Sequence, residues 1–386
     1  MVESAKRNQK PILVTGFSLM FAENKTGVGY CQEQLSKALH DQGIPFVISV
    51  RKNDISVRKY LIPKKNAWIK QHLVYERRFI WPEAWGAPPV ELAQGYYPTC
   101  FESFPWYRHL LPYKRIAWIH DMMSMRYPQY YTKEDLQKHQ KMFASAKKAD
   151  IILTVSKTTK MDIIHYLHIR PERIKVIYNG LDECFLKDSP VFDITRHFVP
   201  ESGIDFSRNY YLYIGAMRKN KNLLNAIKGF EKYLKETGKE DVYFYIAGSK
   251  SHEYSNLKKY VDADQRLREK VLFLGYITDE EKLALYKNAK ALLFVSEYEG
   301  FGIPVIEAMA SRIPVVTSDC SSMKEIGEGH AILADPFSPK SICEGLMETD
   351  RQAADTDFME KNYRFAMKFT WRRAAEIFCR ILKGLS

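Results

Sequence analysis

One stretch of the sequence, residues 291–312, constrains the fold more than any other. Its first six residues form a short apolar run without helical periodicity, which predicts a buried strand of a parallel sheet. The next residues are polar and include Gly300 and Gly302, and Pro304 lies where the first turn of a helix begins. The stretch therefore predicts a strand, a tight turn and a helix. The free N–H groups at the start of that helix favour an anion such as a diphosphate.

Two glutamates flank the predicted turn, Glu299 before it and Glu307 about one turn into the helix. Carboxylates are poor ligands for phosphate but good acceptors for the hydroxyl groups of a sugar or a ribose. A phosphate-type turn between two such acceptors predicts a nucleotide-sugar site. The alternative, the acid and nucleophile of a glycosidase, needs both carboxylates to face one glycosidic bond. One glutamate on each side of the turn fits the two ends of a long ligand better.

The same alternation of strand and helix patterns runs through both halves of the chain. The 386 residues exceed one ordinary core, and the periodicity is lost at residues 186–209, a segment with two prolines and a glycine. We predict an α/β protein with two Rossmann-like domains, residues 1–188 and 205–368, that face each other across a cleft. A C-terminal helix at residues 371–386 is predicted to pack back onto the first domain.

Two features of the first half lie where ligands of open α/β sheets bind. The first is Gly27, Val28 and Gly29, predicted as a loop between the first strand and the next helix. Because it lacks the third glycine of a dinucleotide fingerprint, we expect it to line the cleft rather than to bind NAD. The second is His120 with Asp121, directly after a predicted strand. A histidine at such a position has a structural and a functional interpretation, which position alone does not separate.

The turn at residues 215–222 is rich in cations and follows a predicted strand directly. It begins with Gly215 and carries Arg218, Lys219 and Lys221. Three cations at the carboxyl end of a strand, beside a helix start, suit the stabilisation of a departing diphosphate. The alternative is a solvated loop, which is less favoured because the phosphate-type turn after Glu299 is independently present.

Other polar patterns have structural interpretations. Ser322 and Glu325 form an S-x-x-E pattern, which predicts a helix N-cap first and a further phosphate contact second. Two DxD patterns, at residues 262–264 and 355–357, lie in charged segments without a preceding strand. We assign neither of them to a metal. We therefore expect no metal and no cofactor, with a nucleoside-diphosphate sugar as the donor substrate.

The charge of the chain is unevenly distributed. The formal net charge is +12, and residues 1–190 hold 29 of the 58 Lys and Arg but 18 of the 46 Asp and Glu. Residues 51–80 combine nine basic residues with interleaved aromatics. Such a segment suits an anionic membrane surface, a lipid-diphosphate acceptor or nucleic acid. A solvated basic face is the alternative interpretation.

The spacing of the cysteines and the hydropathy of the chain indicate the cellular compartment of the protein. The six cysteines lie far apart without a CxxC pair, which argues against a disulfide framework and a zinc site. The N-terminal residues lack the pattern of a signal peptide, and no stretch reaches the roughly 18–20 apolar residues of a membrane helix. We expect a cytoplasmic protein, and the basic segment adds the expectation of peripheral attachment to the inner face of the membrane.

With these residues placed, the sequence resembles the retaining glycosyltransferases of family 4, which have the GT-B fold. The resemblance covers almost the full length, and its most specific part is the E-x7-E motif from Glu299 to Glu307 in EGFGIPVIEAMA. The supporting segments are IPVVTS at 313–318, WIHD at 118–121, YNGLD at 178–182, KN at 221–222, LGYITDEEKLALYKNA at 274–289 and FTW at 369–371.

The resemblance implies a role for each position of the E-x7-E motif. In such enzymes the first glutamate, here Glu299, holds hydroxyl groups of the donor sugar. The second, here Glu307, holds the ribose. The backbone amides between them hold the diphosphate, and the matching residues here are Phe301, Gly302 and Ile303.

The resemblance also extends to the first domain and to the cationic turn. His120 matches a family histidine that contacts the donor sugar, and the glycine-bearing first segment matches the family's first loop. One departure concerns an arginine that the family places directly after the glycine of the turn or just before its lysine. Those positions are Ala216 and Asn220 here, which leaves Arg218 and Lys219 as alternatives for the second cation.

Together these features predict an enzyme that transfers a hexosyl group from a nucleoside-diphosphate sugar to a glycan or lipid-linked glycan with retention of configuration, in surface polysaccharide or glycoconjugate synthesis. Lys221 and Arg218 are expected to stabilise the departing diphosphate, and Glu299 with His120 to orient the sugar. The match to mannosyl- and rhamnosyl-type members favours GDP-mannose over a UDP- or dTDP-sugar. The alternatives are a phosphorylase or epimerase, and a basic nucleic-acid- or membrane-binding protein with a GT-B-like body.

Overall fold

The computed structural model describes side chains for residues 27–43, 116–186 and 204–384, together with the backbone of five strands before residue 120. The chain divides into two compact units. One comprises Met1–Asn179 with Trp371–Ser386, and the other comprises Gly180–Thr370. Much of the predicted linker, residues 187–203, lies outside the described residues.

The first unit is built on a seven-stranded parallel sheet with the order β3-β2-β1-β4-β5-β6-β7. In register, Ile12 lies beside Phe46 and Ile116 beside Ile151. The strands are β1 Ile12–Thr15, β2 Phe46–Val50, β3 Leu73–Tyr75, β4 Gln94–Tyr97, β5 Lys114–Ile119, β6 Ile151–Thr154 and β7 Ile174–Val176.

The second unit is built on a six-stranded parallel sheet with the order β10-β9-β8-β11-β12-β13. The strands are β8 Asn209–Ile214, β9 Val242–Ala247, β10 Val271–Gly275, β11 Ala291–Phe294, β12 Val315–Ser318 and β13 Ile332–Ala334. Strand order reverses between β8 and β11, which are neighbours. The loops that follow these two strands therefore leave the same edge of the sheet side by side, at the switch point where α/β folds bind ligands.

Helices connect the strands in both units, and no helix among the described residues is long and apolar enough to cross a membrane. The α-helices are α1 Gly27–Asp41, α2 Met123–Arg126, α3 Lys133–Ala146, α4 Lys157–Leu167, α5 Leu223–Thr237, α6 Tyr254–Asp262, α7 Gln265–Lys270, α8 Asp279–Asn288, α9 Ile303–Ala310, α10 Ser321–Gly327, α11 Pro339–Ala354, α12 Thr356–Ala366 and α13 Trp371–Lys383. Within the part of the chain that the structure describes, 3₁₀ turns span Pro128–Tyr130, Pro171–Arg173, Glu183–Phe185 and Lys219–Lys221.

Both sheets contain fully buried strands, as expected where helices cover both faces of a parallel sheet. All residues of β6, β11 and β12 are buried, which explains their continuous apolar runs. In the second unit the buried hydroxyl of Tyr210 donates to the Leu285 carbonyl at 2.8 Å, and that of Tyr211 donates to the Leu346 carbonyl at 2.9 Å. These bonds let bulky tyrosines occupy a core strand, since their polar atoms stay paired.

The C-terminal helix α13 packs against α1 within the first unit. The rings of Tyr30 and Trp371 meet edge to face at 6.2 Å, and the Gln42 side chain donates to the Arg372 carbonyl at 2.9 Å. Trp371, Phe378 and Leu382 lie at helical spacing on the buried face of α13. The chain thus returns to its first unit after completing the second.

The predicted fold class is confirmed, because both sheets are parallel and alternate with helices. The structure contradicts the predicted loop at Gly27 to Gly29, since α1 begins at Gly27 and includes all three residues. Burial of Gly29, Cys31 and Gln32 in the first turns offsets the low helix propensity of glycine, about 1 kcal/mol per residue. Their predicted role in lining a cleft stays a prediction.

Several elements differ from or add to the sequence prediction. The polar segment at residues 254–270 forms two helices rather than one, because the Asp264 side chain caps a new helix by accepting from the Leu267 N–H at 2.9 Å. The strands β3, β4 and β13 and the helices α2, α11 and α12 were not predicted from the sequence. The basic segment at residues 51–80 lies outside the described residues except for β3.

Candidate functional site

The turn between β11 and α9 forms as the sequence predicts. Gly302 is the N-cap of α9 and has a φ of 104°, a conformation that residues with a side chain rarely adopt. A Cβ atom at this position would lie 2.0 Å from Cε of the buried Met323. The backbone therefore requires glycine, and a side chain here would also force the end of Met323 to move. Pro304 occupies the first turn of the helix.

The cationic turn after β8 meets this glutamate turn through an ion pair. Nζ of Lys221 lies 2.6 Å from Oε1 of Glu299. The two side chains are 19% and 14% exposed, so the contact is half-buried and weakly screened by solvent. Lys221 also lies 5.1 Å from the ring centroid of Phe294, the last residue of β11. The structure thus brings together two residues that the sequence analysis placed in one site.

Asn220 ties the two turns together at the backbone level. Its carbonyl accepts from the Glu297 N–H at 2.8 Å, and its side chain donates to the Tyr298 carbonyl at 3.2 Å. The residue is buried. Asn220 is one of the two positions that the resemblance assigns to an arginine, and here its amide cross-links the loops instead.

Asn222 is a second asparagine that the sequence analysis did not single out as a site residue. It adopts a left-handed conformation with a φ of 58°, and its side chain donates to the carbonyls of Val295 and Pro336 at 3.1 and 2.6 Å. The signal in the sequence was its position directly before a helix, where asparagine tolerates a positive φ. Its role is to fix the cationic turn on the edge of the sheet.

Arg218 and Lys219 are exposed at the rim of the cationic turn. Burial raises the pKa of Tyr213 well above its ordinary value, the charge of Glu299 raises it further, and the charge of Arg218 lowers it. Arg218 and Glu299 therefore shift the pKa of the same buried tyrosine in opposite directions. The role of Arg218 as the second cation stays a prediction.

Gly215 begins the cationic turn at a crowded position, where the ends of the neighbouring strands β8 and β9 lie close together. A Cβ atom on Gly215 would lie 2.8 Å from the Tyr213 hydroxyl oxygen. A Cβ atom on Gly248 would lie 2.2 Å from the Gly215 carbonyl oxygen. The two glycines allow the ends of both strands to approach closely, and Gly248 was missed as a member of this group.

Ser322 does not cap a helix, contrary to the first interpretation of its S-x-x-E pattern. Helix α10 begins at Ser321, and its N-cap is Cys320 without a side-chain cap bond. Ser322 therefore lies within the first turn, where its hydroxyl donates to the Glu299 carbonyl at 2.8 Å. The serine holds the glutamate turn in place, and its predicted phosphate contact stays untested.

Glu307 lies on α9 and is nearly buried, with two donors on its carboxylate. Nζ of Lys282 lies 3.4 Å from Oε1, and the Tyr286 hydroxyl donates to Oε2 at 2.8 Å. Burial raises the pKa of Tyr286 well above its ordinary value, and the charge of Glu307 adds to this effect. Sequence reasoning missed both partners, although they lie in the segment at 274–289 that carries the family resemblance.

The remaining residues of the glutamate turn have mixed environments. The Phe301 side chain is buried and meets the ring of Phe369 edge to face at 5.6 Å. Gly300 and Ile303 are partly exposed. The side chain of Phe301 is therefore part of the core, and the contact of its backbone with a diphosphate stays a prediction.

His120 and Asp121 lie in the first unit at the carboxyl end of β5. His120 is buried, and its ring lies 4.5 Å from that of Trp118. Asp121 accepts from the Met123 N–H at 2.9 Å and so starts α2. The contact of His120 with a donor sugar stays a prediction.

The acidic pairs have structural roles among the described residues. Asp262 pairs with Lys258, Asp264 caps α7 and Asp355 caps α12. No group of three or more His, Cys, Asp or Glu among the described residues is arranged to hold a metal. Five cysteines in the described part of the chain are free thiols.

Two family models match the chain, one for each unit. Residues 26–184 match Glycosyltransferase Family 4, and residues 196–360 match Glycosyl transferases group 1. The fold defines the class as GT-B. A sucrose-phosphate synthase structure from Thermosynechococcus elongatus superimposes with a TM-score of 0.71 at 15% identity and covers 97% of this chain and 99% of that chain. The chain belongs to the family 4 glycosyltransferases of the GT-B fold.

Curated relatives are similar over part of the sequence. The chain is 31% identical over 226 residues to the O-antigen chain mannosyltransferase RfbU of Salmonella typhimurium, a match of 58% of this chain and 57% of that protein. It is 27% identical over 237 residues to the O-antigen chain mannosyltransferase B of Escherichia coli, 61% of each. The chain thus spans about six tenths of the length of these relatives.

Proposed function

We propose that this protein is a retaining glycosyltransferase that moves a hexosyl group, mannosyl in the favoured case, from a nucleoside-diphosphate sugar to a glycan or lipid-linked glycan in surface polysaccharide synthesis. The observation that carries the proposal is the 2.6 Å contact between Lys221 and Glu299 at the switch point of the second sheet. It juxtaposes a cation suited to a phosphate with a carboxylate suited to sugar hydroxyls. The similarity to two O-antigen mannosyltransferases supports the choice of sugar.

The donor occupies the edge of the second sheet in this proposal. Its diphosphate lies at the N-terminus of α9, where the amides of residues 301–303 and the helix dipole favour negative charge. Glu307 accepts from the ribose and Glu299 from the sugar. Lys221 and Arg218 neutralise the diphosphate, so we expect no metal requirement.

Transfer then proceeds by substitution on one face of the sugar. The bond between the anomeric carbon and the diphosphate oxygen breaks, and the bond to the acceptor oxygen forms. The acceptor proton passes to the departing phosphate oxygen, so no protein base is needed, and because the acceptor attacks on the face that the diphosphate leaves, no protein nucleophile is needed. Lys221 contributes most at this step because negative charge grows on the leaving group. His120 is proposed to orient the sugar.

Donor entry also changes the contact between Lys221 and Glu299. Each group is the other's partner in this structure, and each has a different partner in the proposed complex. The exchange keeps both charged groups hydrogen-bonded throughout, Lys221 to the diphosphate and Glu299 to the sugar hydroxyls. The pair therefore holds both side chains in place before the donor arrives.

The direct test measures nucleoside-diphosphate release from GDP-mannose, UDP-glucose, UDP-N-acetylglucosamine and dTDP-rhamnose, with and without an acceptor extract. We expect release from GDP-mannose that depends on the extract and is unchanged by EDTA. Preference for a UDP- or dTDP-sugar would replace the mannosyl assignment. Dependence on inorganic phosphate would indicate a phosphorylase, and absence of release from every donor would refute the proposal.

We further propose that the basic segment at residues 51–80 attaches the protein to anionic membranes. Liposomes with phosphatidylglycerol should co-sediment the protein at low salt, and 0.5 M NaCl should release it, because screening shortens the Debye length to a few ångströms. The triple variant Lys64→Gln/Lys65→Gln/Lys70→Gln should bind roughly a hundredfold more weakly, because each basic residue near the surface contributes about 1 kcal/mol, a factor of about five.

The matched control for the liposome test removes the same charge elsewhere in the first unit. Lys133, Lys141 and Lys148 are exposed, and their triple replacement by Gln should leave sedimentation close to that of the unmodified protein. Equal loss in both triple variants would assign binding to net charge alone. Lack of sedimentation at low salt would refute membrane attachment.

A further inference from the structure

A buried lysine outside the E-x7-E motif faces its second glutamate. Lys282 lies on α8, its side chain is 16% exposed, and its Nζ lies 3.4 Å from Oε1 of Glu307, whose side chain is 7% exposed. The same ammonium lies 5.4 Å from the ring centroid of Phe185. Its stem and charge are thus held between an aromatic ring and the carboxylate.

A second donor from the same helix holds the other carboxylate oxygen. The Tyr286 hydroxyl donates to Oε2 of Glu307 at 2.8 Å, and its ring meets Phe185 edge to face at 5.6 Å. Lys282 and Tyr286 are four residues apart, so they lie on one face of α8, one turn from each other. Each oxygen of Glu307 therefore has one donor from this face.

The geometry restricts how Glu307 can bind a ligand. An ionised carboxylate has about four acceptor positions, so two remain after these donors are counted. With both oxygens held, the carboxylate cannot rotate freely about its last bond. Two fixed acceptor positions suit two adjacent hydroxyl groups, such as those at the 2′ and 3′ positions of a ribose.

The charges around Lys282 leave Glu307 as its closest carboxylate. Asp279 lies 3.7 Å away but is 85% exposed, so water screens it more strongly. Burial lowers the pKa of Lys282 and is the largest single effect, but the charge of Glu307, together with smaller effects of Cys184, Asp182 and Asp279, outweighs it, so the net pKa is raised. The lysine stays charged and compensates the buried carboxylate.

We propose that Lys282, assisted by Tyr286, is a positioning residue that fixes Glu307 for the two ribose hydroxyls of the donor. This inference rests on the proposed function, in which Glu307 holds the ribose. Lys282 does not touch the donor itself. Its loss leaves a carboxylate that is buried, less well oriented and short of one charge partner, so affinity for the ribose falls while the diphosphate contacts remain.

The test is isothermal titration of the full-length protein with GDP, UDP, ADP and dTDP, followed by the 2′,3′-dideoxy form of the tightest binder. Loss of the hydroxyls should weaken binding to the unmodified protein by about tenfold or more. Lys282→Met should weaken binding of the complete nucleotide by about tenfold, in the range seen when the partner of a ligand-holding group is removed. The same substitution should leave the affinity for the dideoxy form almost unchanged.

Two further variants and a control separate positioning from damage to the fold. Lys282→Arg, which keeps the charge, should restore most of the affinity, and Tyr286→Phe should give a smaller loss than Lys282→Met. Lys290 is ion-paired with Asp350 and 11% exposed, on the same unit. Lys290→Met should therefore lower the melting temperature without changing the ratio of the affinities for the complete and the dideoxy nucleotide.

The outcomes distinguish this inference from the function on which it rests. If no nucleoside diphosphate binds the unmodified protein, the proposed function fails and the inference with it. If binding depends on the ribose hydroxyls and Lys282→Met preserves that dependence, the positioning role is overturned while the function stands. A reduced dependence in a folded Lys282→Met protein, restored by arginine, supports the proposal.

Discussion

Replacement of Lys221 by alanine is expected to lower transfer by roughly 10²–10³-fold or more, the effect of removing a group that stabilises charge in a transition state. The loss should appear in kcat, because the lysine acts most strongly on the charge that grows as the diphosphate departs. Glu299→Ala is expected to cause a loss of similar size through lost orientation of the sugar. The measurement is steady-state turnover with the donor identified in the panel.

The second unit offers a matched control for both substitutions. Lys232 and Glu236 on α5 also form a Lys–Glu contact of 2.6 Å, but their side chains are 40% and 41% exposed. An exposed pair of this kind contributes about 0–1 kcal/mol, so Lys232→Ala and Glu236→Ala should keep turnover near that of the unmodified protein. Near-normal turnover of Lys221→Ala or Glu299→Ala would refute their assignment to the site.

Gly302→Ala is expected to destabilise the second unit and to abolish donor binding. The φ of 104° strains any other residue, and the new Cβ atom would lie 2.0 Å from Cε of Met323. Backbone strain and overpacking together should lower the free energy of unfolding by about 2–5 kcal/mol. Urea unfolding measures the loss of stability, and nucleotide titration measures the loss of the turn.

A control glycine and a double variant separate strain from collision. Gly275 has a φ of 75° with open space around it, so Gly275→Ala should cost about 1–2 kcal/mol from the backbone alone. Met323→Ala removes the colliding atom at the cost of a cavity. The double variant Gly302→Ala/Met323→Ala should therefore lose about 1–3 kcal/mol less than the sum of the single losses. Strict additivity would show that no collision occurs.

The parallel α/β architecture was predictable from the sequence because its signals are local. Continuous apolar runs mark strands covered on both faces, and the turn at residues 300–304 carries the glycine and proline that its backbone requires. The predicted strand at residues 291–296 and the helix after it match β11 and α9 to within two residues. Local propensity and tertiary packing agree at these positions.

Predictions failed where a tertiary contact outweighed a local pattern. Ser322 has the sequence of a helix cap, but its hydroxyl is bound to a carbonyl 23 residues earlier in the chain. The glycines at residues 27–29 indicate a loop, yet these residues belong to the first turn of α1, which is buried from Gly29 onwards on several sides. A local pattern indicates which hydrogen bonds a side chain can form, and the tertiary structure determines which of them it does form.

The sequence by itself determined the fold class, the two βα arrays and the spacing of Glu299 and Glu307, because periodicity and turn chemistry are properties of neighbouring residues. Only the tertiary structure decided which lysine faces which glutamate. Lys221 is 78 residues from Glu299 and Lys282 is 25 from Glu307, and no local rule relates them. The physical reason is strand order, because β8 lies beside β11 and the loops that carry Lys221 and Glu299 therefore leave one edge of the sheet together.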